Sequence, residues 1–120
     1  MFKATRGAAA LALSALVLLS FAGAVQSETY PTQPVKIVVG FPPGGTTDVI
    51  GRLVAQSLSE QTGKPFLVEN RPGASGTIGV GVVAKAAPDG HTLVVVPSTY
   101  GTASSLYTKL PYADSELIPV

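Results

Sequence analysis

Three short apolar runs punctuate the chain, with longer mixed segments between them. Val35 to Gly40 is almost continuous in β-branched residues, which predicts a strand buried on both faces, as in a parallel sheet. Phe66 to Glu69 predicts a second, shorter strand, and Thr92 to Val96 a third buried one ended by Pro97. Thr46 to Thr62 has helical periodicity. Val49, Ile50, Leu53, Val54 and Leu58 share one side and are expected to face inward, with Arg52, Gln56 and Glu60 toward solvent. Thr46 or Thr47 is placed to cap this helix, Asp48 lies in the first turn where the helix dipole favours a negative charge, and Gly63 supplies the stop. Thr77 to Ala87 is ambiguous: its glycines and β-branched residues weaken a helix, while Ile78, Val82, Val83 and Ala86 fit a helical face. Glu28 to Pro34 reads as a lead-in kept extended by Pro31 and Pro34. Asn70 to Gly76 reads as a loop and Pro88-Asp89-Gly90 as a turn. Ser98 to Ser105 is polar and loop-like, with room for a short helix, and Leu106 to Val120 shows no clear period.

The order strand, helix, strand, helix, strand implies an α/β domain with a mostly parallel sheet, flanking helices and right-handed crossovers. In such sheets ligands bind beyond the carboxyl ends of the strands. The loops 40–48, 70–77 and 97–105 meet that description, and all three are rich in Gly, Ser, Thr or Asn.

The N-terminus changes how composition is read. Lys3 and Arg6 precede an apolar stretch from Ala8 to Phe21, followed by the small residues Ala22-Gly23-Ala24. This is the pattern of a secretory signal peptide over residues 1–24, with Ser27 as the alternative cleavage point. The stretch is shorter than the ~20 residues of a membrane-spanning helix. Without Lys3 and Arg6, the eight basic residues fall to six against seven acids. A near-neutral chain has no basic footprint for nucleic acid. The sequence has no cysteine, so an exported form relies on burial rather than disulfides, and lipid attachment through cysteine is excluded.

Candidate chemistry centres on Gly40-Phe41-Pro42-Pro43-Gly44-Gly45-Thr46-Thr47-Asp48. Gly40 and Gly45 are spaced as in a phosphate loop, but Thr46 stands where that loop needs a lysine to reach the β- and γ-phosphates. Two readings remain: a plain glycine connection, or a site for a weaker anion such as a carboxylate held by exposed N–H groups. Gly79, Gly81 and Ala84 match a dinucleotide fingerprint in spacing but not in position, so close helix packing explains them better. Ser75 lacks the glycine two residues on that a nucleophile elbow requires. His91 is the single histidine, expected at the surface, so a His/Cys zinc site and a cysteine nucleophile are excluded. Arg71 could clamp a carboxylate, but a structural role is the expectation. Asp48 is explained by its place at the helix start. No catalytic constellation, metal site or cofactor site is expected.

At this point a family resemblance enters. Tyr30-Pro31 and Pro34, then Phe41-Pro42-Pro43-Gly44-Gly45 with Asp48, then Asn70-Arg71-Pro72-Gly73-Ala74 with Gly76 and Gly79, then Ala84-Lys85-Ala86 with Pro88-Asp89-Gly90, and Leu106-Tyr107 with Leu110-Pro111-Tyr112 occur in order. This series closely resembles the periplasmic solute-binding proteins of tripartite tricarboxylate transporters, the Bug family. The resemblance implies a periplasmic binding protein-like fold of the type II clamshell kind. It implies a non-enzymatic, monomeric protein that captures a small carboxylate and hands it to the membrane subunits of a tripartite transporter. Carried over by position, Phe41, Gly44, Gly45, Thr46, Thr47 and Asp48 would line one side of the ligand, and Gly76, Thr77, Ser98 and Thr99 another. Phe41 would be an apolar wall, the glycines would admit backbone close to the ligand, and the threonines would donate to the acid. Members run to roughly three hundred residues in two domains. Residues 25–120 therefore read as an incomplete first lobe, which leaves a truncated or poorly folded, non-functional fragment as the alternative. An exported enzyme using the glycine loop is the third reading.

Overall fold

The computed structural model describes residues 28–120, so the expected signal segment 1–24 lies outside the described residues. Strand β1 (Val35–Val39) is followed by helix α1 (Thr46–Thr62), strand β2 (Phe66–Asn70), helix α2 (Thr77–Ala84), strand β3 (Thr92–Val95) and a single-turn helix α3 (Ala103–Leu106). The three strands form one parallel sheet in the order β2-β1-β3. Val35 pairs with Phe66 and Val39 with Asn70 on one side of β1, and Lys36 with Thr92 and Val39 with Val95 on the other. The alternating α/β order read from the sequence is the order observed.

The central position of β1 explains its composition. Val35, Ile37, Val38 and Val39 are all buried, and only Lys36 escapes, to pair with Glu69 at 2.7 Å. Odd-numbered residues face α1: Val35 and Ile37 join Ala55 and Phe66 in the core, with Leu58, Val68, Leu93 and Val95 packed against it. Among the described residues β3 has a partner on one side only, so its four residues are half-buried rather than fully buried as expected.

Helix α1 corrects the sequence reading most clearly. Its buried residues are Asp48, Gly51 and Ala55, whereas Val49, Ile50, Leu53 and Val54 remain 40–62% exposed. Two causes set this rotation. Asp48 must point inward to reach its polar partners, and Gly51 lets the helix settle onto the sheet, since a Cβ there would lie 3.0 Å from Val39 Cγ2. The cap also differs: Gly45 occupies the N-cap position, with no side chain bonded to the free N–H groups. Gly63 ends the helix as expected, at φ 67° with its N–H donated to Ser59 O.

The ambiguous segment after residue 77 is helical to Ala84, and its glycines are contact points. A Cβ on Gly79 would lie 2.9 Å from Gly40 Cα, and one on Gly81 3.0 Å from Pro111 Cγ. The lead-in is tied down rather than simply extended: Tyr30–Pro31 is cis, Pro31 is buried, and Tyr30 Oη donates to Gly90 O at 2.6 Å. His91 is not at the surface as expected. Its side chain is only 12% exposed and sits against the Tyr30 ring, with centroids 5.2 Å apart. No described helix is long and apolar enough to cross a membrane.

Candidate functional site

Two glycine-rich strand-to-helix loops meet at the carboxyl end of β1. Residues 40–48 form the first, and a buried carboxylate holds it. Asp48 accepts the Gly44 N–H at 2.9 Å, Arg52 Nε at 3.0 Å and Asn70 Nδ2 at 2.8 Å. The Arg52 bond, then Gly44, then Asn70 hold its pKa down at about 2, against the opposing effect of burial. Asn70 uses its second amide proton on Phe41 O at 3.0 Å, and its oxygen accepts Arg52 Nη2 at 3.3 Å. One polar cluster thereby fixes both ends of the turn. Asp48 is directed into this cluster, so it shapes the loop from behind. Gly44, Gly45 and Thr46 sit at the exposed tip, and Thr47 is half-buried.

The second loop, Gly73–Gly76, is held by backbone conformation. Its four residues have φ of 134°, 45°, 53° and 91°, a run of left-handed geometry in which Ala74 and Ser75 are the non-glycine members. Gly76 N–H closes the turn on Gly73 O at 2.9 Å, and Thr77 Oγ1 donates to Ala74 O at 2.9 Å. Gly76 is required twice over. Its φ is positive, and a Cβ there would lie 2.9 Å from the Phe41 ring.

Between this loop, β3 and the segment after it lies a cavity of about 280 Å³. Phe41, Gly76, Thr77 and Thr99 line it, so the structure brings together four of the residues expected from sequence. Ser98, Gly44, Gly45, Thr46, Thr47 and Asp48 are not in its lining. Ser75, Tyr100, Thr102, Tyr107 and Tyr112 line it and were not expected. The available signal was the density of hydroxyls and aromatics in Ser98–Tyr107, which composition alone marks only as a loop. Tyr100 and Tyr112 stack with centroids 6.0 Å apart. Burial, then the Asp114 carboxylate that accepts its proton at 3.0 Å, push the Tyr100 phenol up to about 12. Tyr107 Oη donates to Ser75 Oγ at 3.1 Å and ties the post-β3 segment to the second loop.

Arg71 is engaged with Glu69, which also holds Lys36, so it is a structural ion-pair member. Lys36 first and Arg71 second lower the Glu69 pKa. Among the described residues there is no cluster of three metal-ligating side chains, and no cationic residue lines the cavity.

Residues 50–120 match the family described as tripartite tricarboxylate transporter family receptor. The chain is 44% identical over 102 residues to protein BugT of Bordetella pertussis, covering 82% of this chain and 31% of that one. It spans about a third of the length of such relatives. Among solved structures it is similar to the periplasmic binding protein BugD (46% identity, TM-score 0.52). It is also similar to R. palustris Rpa4515 with adipate (48%, 0.53) and to MatC from Rhodopseudomonas palustris with bound malate (45%, 0.52). Each of these three matches covers 54% of this chain and 22% of the other.

Proposed function

The chain belongs to the tripartite tricarboxylate transporter receptor family, and on that premise we propose that it is a periplasmic solute-binding component that captures a small organic acid for a tripartite transporter. The observation that carries this reading is the pair of glycine-rich loops at the carboxyl end of the sheet, where Gly40 and Phe41 of the first and Ser75, Gly76 and Thr77 beside the second line a hydroxyl-bearing cavity. A carboxylate only accepts hydrogen bonds, and a helix N-terminus offers N–H groups in a positive field. In this reading the backbone of Gly44, Gly45, Thr46 and Thr47 faces the acid, with Phe41 as the apolar wall. Gly76, Thr77, Ser98 and Thr99 serve from the second side, and Asp48 keeps the first loop in shape. Residues 1–24 direct export, and residues 25–120 contribute to the first lobe of a clamshell. The protein works as a monomer, by binding rather than by catalysis, and delivers its ligand to membrane subunits. Relatives of known structure hold adipate and malate, in keeping with an acid as ligand here.

Thermal denaturation with a panel of organic acids and nucleotides tests this. An acid at a hundred times its Kd should add about 2.7 kcal/mol of stability, while ATP adds none. Stabilisation by ATP with none from any acid overturns the reading.

A further inference from the structure

Two elements far apart in sequence meet at the cavity through one side-chain bond. Tyr107 Oη and Ser75 Oγ lie 3.1 Å apart, with 32 positions of sequence between them. Both residues line the cavity.

The two partners rest on unlike supports. Ser75 stands in the left-handed run, at φ 53° and ψ 34°. The turn around it is closed by Gly76 N–H on Gly73 O and by Thr77 Oγ1 on Ala74 O. Main-chain geometry therefore sets the direction of the Ser75 Cα–Cβ bond, at a backbone cost that a glycine would escape. It leaves χ1 open, with its three staggered wells. Tyr107 follows α3 directly. Its N–H is donated to Ala103 O at 3.0 Å, and Ala103 is buried in the cavity wall. The phenol thus approaches from a fixed base, and its hydroxyl selects the Ser75 rotamer.

The direction of the bond follows from the two groups. A phenol is a stronger donor than an aliphatic alcohol and a weaker acceptor, because its lone pair is drawn into the ring. Tyr107 gives the proton and Ser75 Oγ receives it. Ser75 keeps its own proton, and among the described residues it donates to no protein group. The neighbouring hydroxyls of Thr77 and Tyr100 spend theirs on Ala74 O and Asp114. A hydroxyl that already accepts one hydrogen bond is polarised into a better donor. An aimed and unspent proton of this kind suits a carboxylate oxygen, which only accepts. Resting on the carboxylate reading above, we propose that Tyr107 is a positioning residue: it locks Ser75 in the rotamer that directs its hydroxyl proton to an oxygen of the acid. The segment after β3 then acts on binding through the second loop.

Titration calorimetry of the purified protein with acetate, succinate, malate, adipate and benzoate tests this, on the parent, Ser75→Ala, Tyr107→Phe and the double variant. Ser75→Ala should weaken the acids that bind the parent by about five- to tenfold, the loss of roughly one net hydrogen bond. Tyr107→Phe keeps the ring and frees the three χ1 wells, so it should weaken the same acids by about threefold. In the Ser75→Ala background Tyr107→Phe should add nothing, because its route of action is gone. Thermal midpoints without acid should stay within about 3 °C of the parent, as for loss of an exposed hydroxyl. A Tyr107→Phe effect of equal size in both backgrounds makes Tyr107 an independent contact and overturns the proposal. A lowered midpoint with unchanged affinity makes it a strut and overturns it too. So does Ser75→Ala binding every acid as well as the parent. All three results leave the carboxylate reading standing, whereas absence of binding by every acid in the parent overturns both.

Discussion

The two loops that meet at the end of β1 reach similar ends by different physics. Residues 40–48 are shaped by side chains: Asp48, Arg52 and Asn70 use their hydrogen-bonding capacity on one another and on the Gly44 N–H and Phe41 carbonyl. Residues 73–76 are shaped by backbone: four successive positive φ values turn the chain, and the glycine contacts seat it against β1. The consequence is functional. A loop fixed by side chains can present mainly its backbone to a ligand, whereas a loop fixed largely by backbone places a side chain, Ser75, in the cavity lining. An anion site gains from having both kinds of donor on rigid supports.

The contact that holds the two loops together should be the most sensitive point. Gly40, Gly76 and Gly79 bring main chain against main chain, and a Cβ on Gly79 would meet both Gly40 Cα at 2.9 Å and Arg71 O at 3.2 Å. Neither neighbour is a flexible side chain, so the helix must move. Gly79→Val is expected to cost about 3 kcal/mol, read as a lowered urea midpoint. A loss under about 0.5 kcal/mol would mean that the loops are not rigidly coupled.

The side-chain-built loop should show itself through pH. The folded-state pKa of Asp48 is about 2, below its ordinary value of 3.8. A depressed carboxylate contributes stability that is present above the unfolded value and is lost as pH falls through the folded one. Stability should therefore decline between pH 3.8 and about 2. Glu69, also lowered by Lys36 and Arg71, adds to the same acid loss. The Asp48→Asn variant isolates the share of Asp48. It should be less stable than the parent at neutral pH and converge with it in acid. An unchanged difference at both pH values would show that the carboxylate charge does not hold this turn.

Legibility in the sequence followed the same division. β1, β2 and the C-terminal stop of α1 at Gly63 were readable because unbroken β-branched runs and a left-handed glycine are local signals. The inward face of α1 was not, because Asp48 and Gly51 override the apolar stripe Val49-Ile50-Leu53-Val54 through contacts with distant residues, Asn70 and Val39. The lining of the cavity is half legible. Phe41, Gly76, Thr77 and Thr99 stand at loop positions that a strand-to-helix reading marks. Tyr107 and Tyr112 reach the cavity only by the path of the chain after β3, where no periodicity announces a structure. By composition Asn70 opens a loop, yet it is the last residue of β2 and the bridge between Phe41 and Asp48.

The smallest effect is the most discriminating, because it should separate stability from binding. Ala74 sits at φ 45°, exposed, with no cavity contact. Left-handed backbone costs an L-residue about 1–2 kcal/mol, and glycine escapes that cost. Glycine also adds about 0.4–1 kcal/mol of entropy to the unfolded chain, so Ala74→Gly should stabilise by a net of about 0.5 kcal/mol. The same change loosens a loop whose shape depends mainly on its backbone. Ser75, the adjacent cavity-lining residue, then has to be ordered when ligand arrives, and the affinity for whichever organic acid stabilises the parent should fall by about two- to fivefold while the thermal midpoint rises. The equivalent relaxation is not available in the first loop, where Asp48 would still hold the turn through the Gly44 N–H. If Ala74→Gly raises both stability and affinity, the left-handed run is strain without a role in presenting Ser75, and the contrast between a side-chain-built and a backbone-built loop has no bearing on binding.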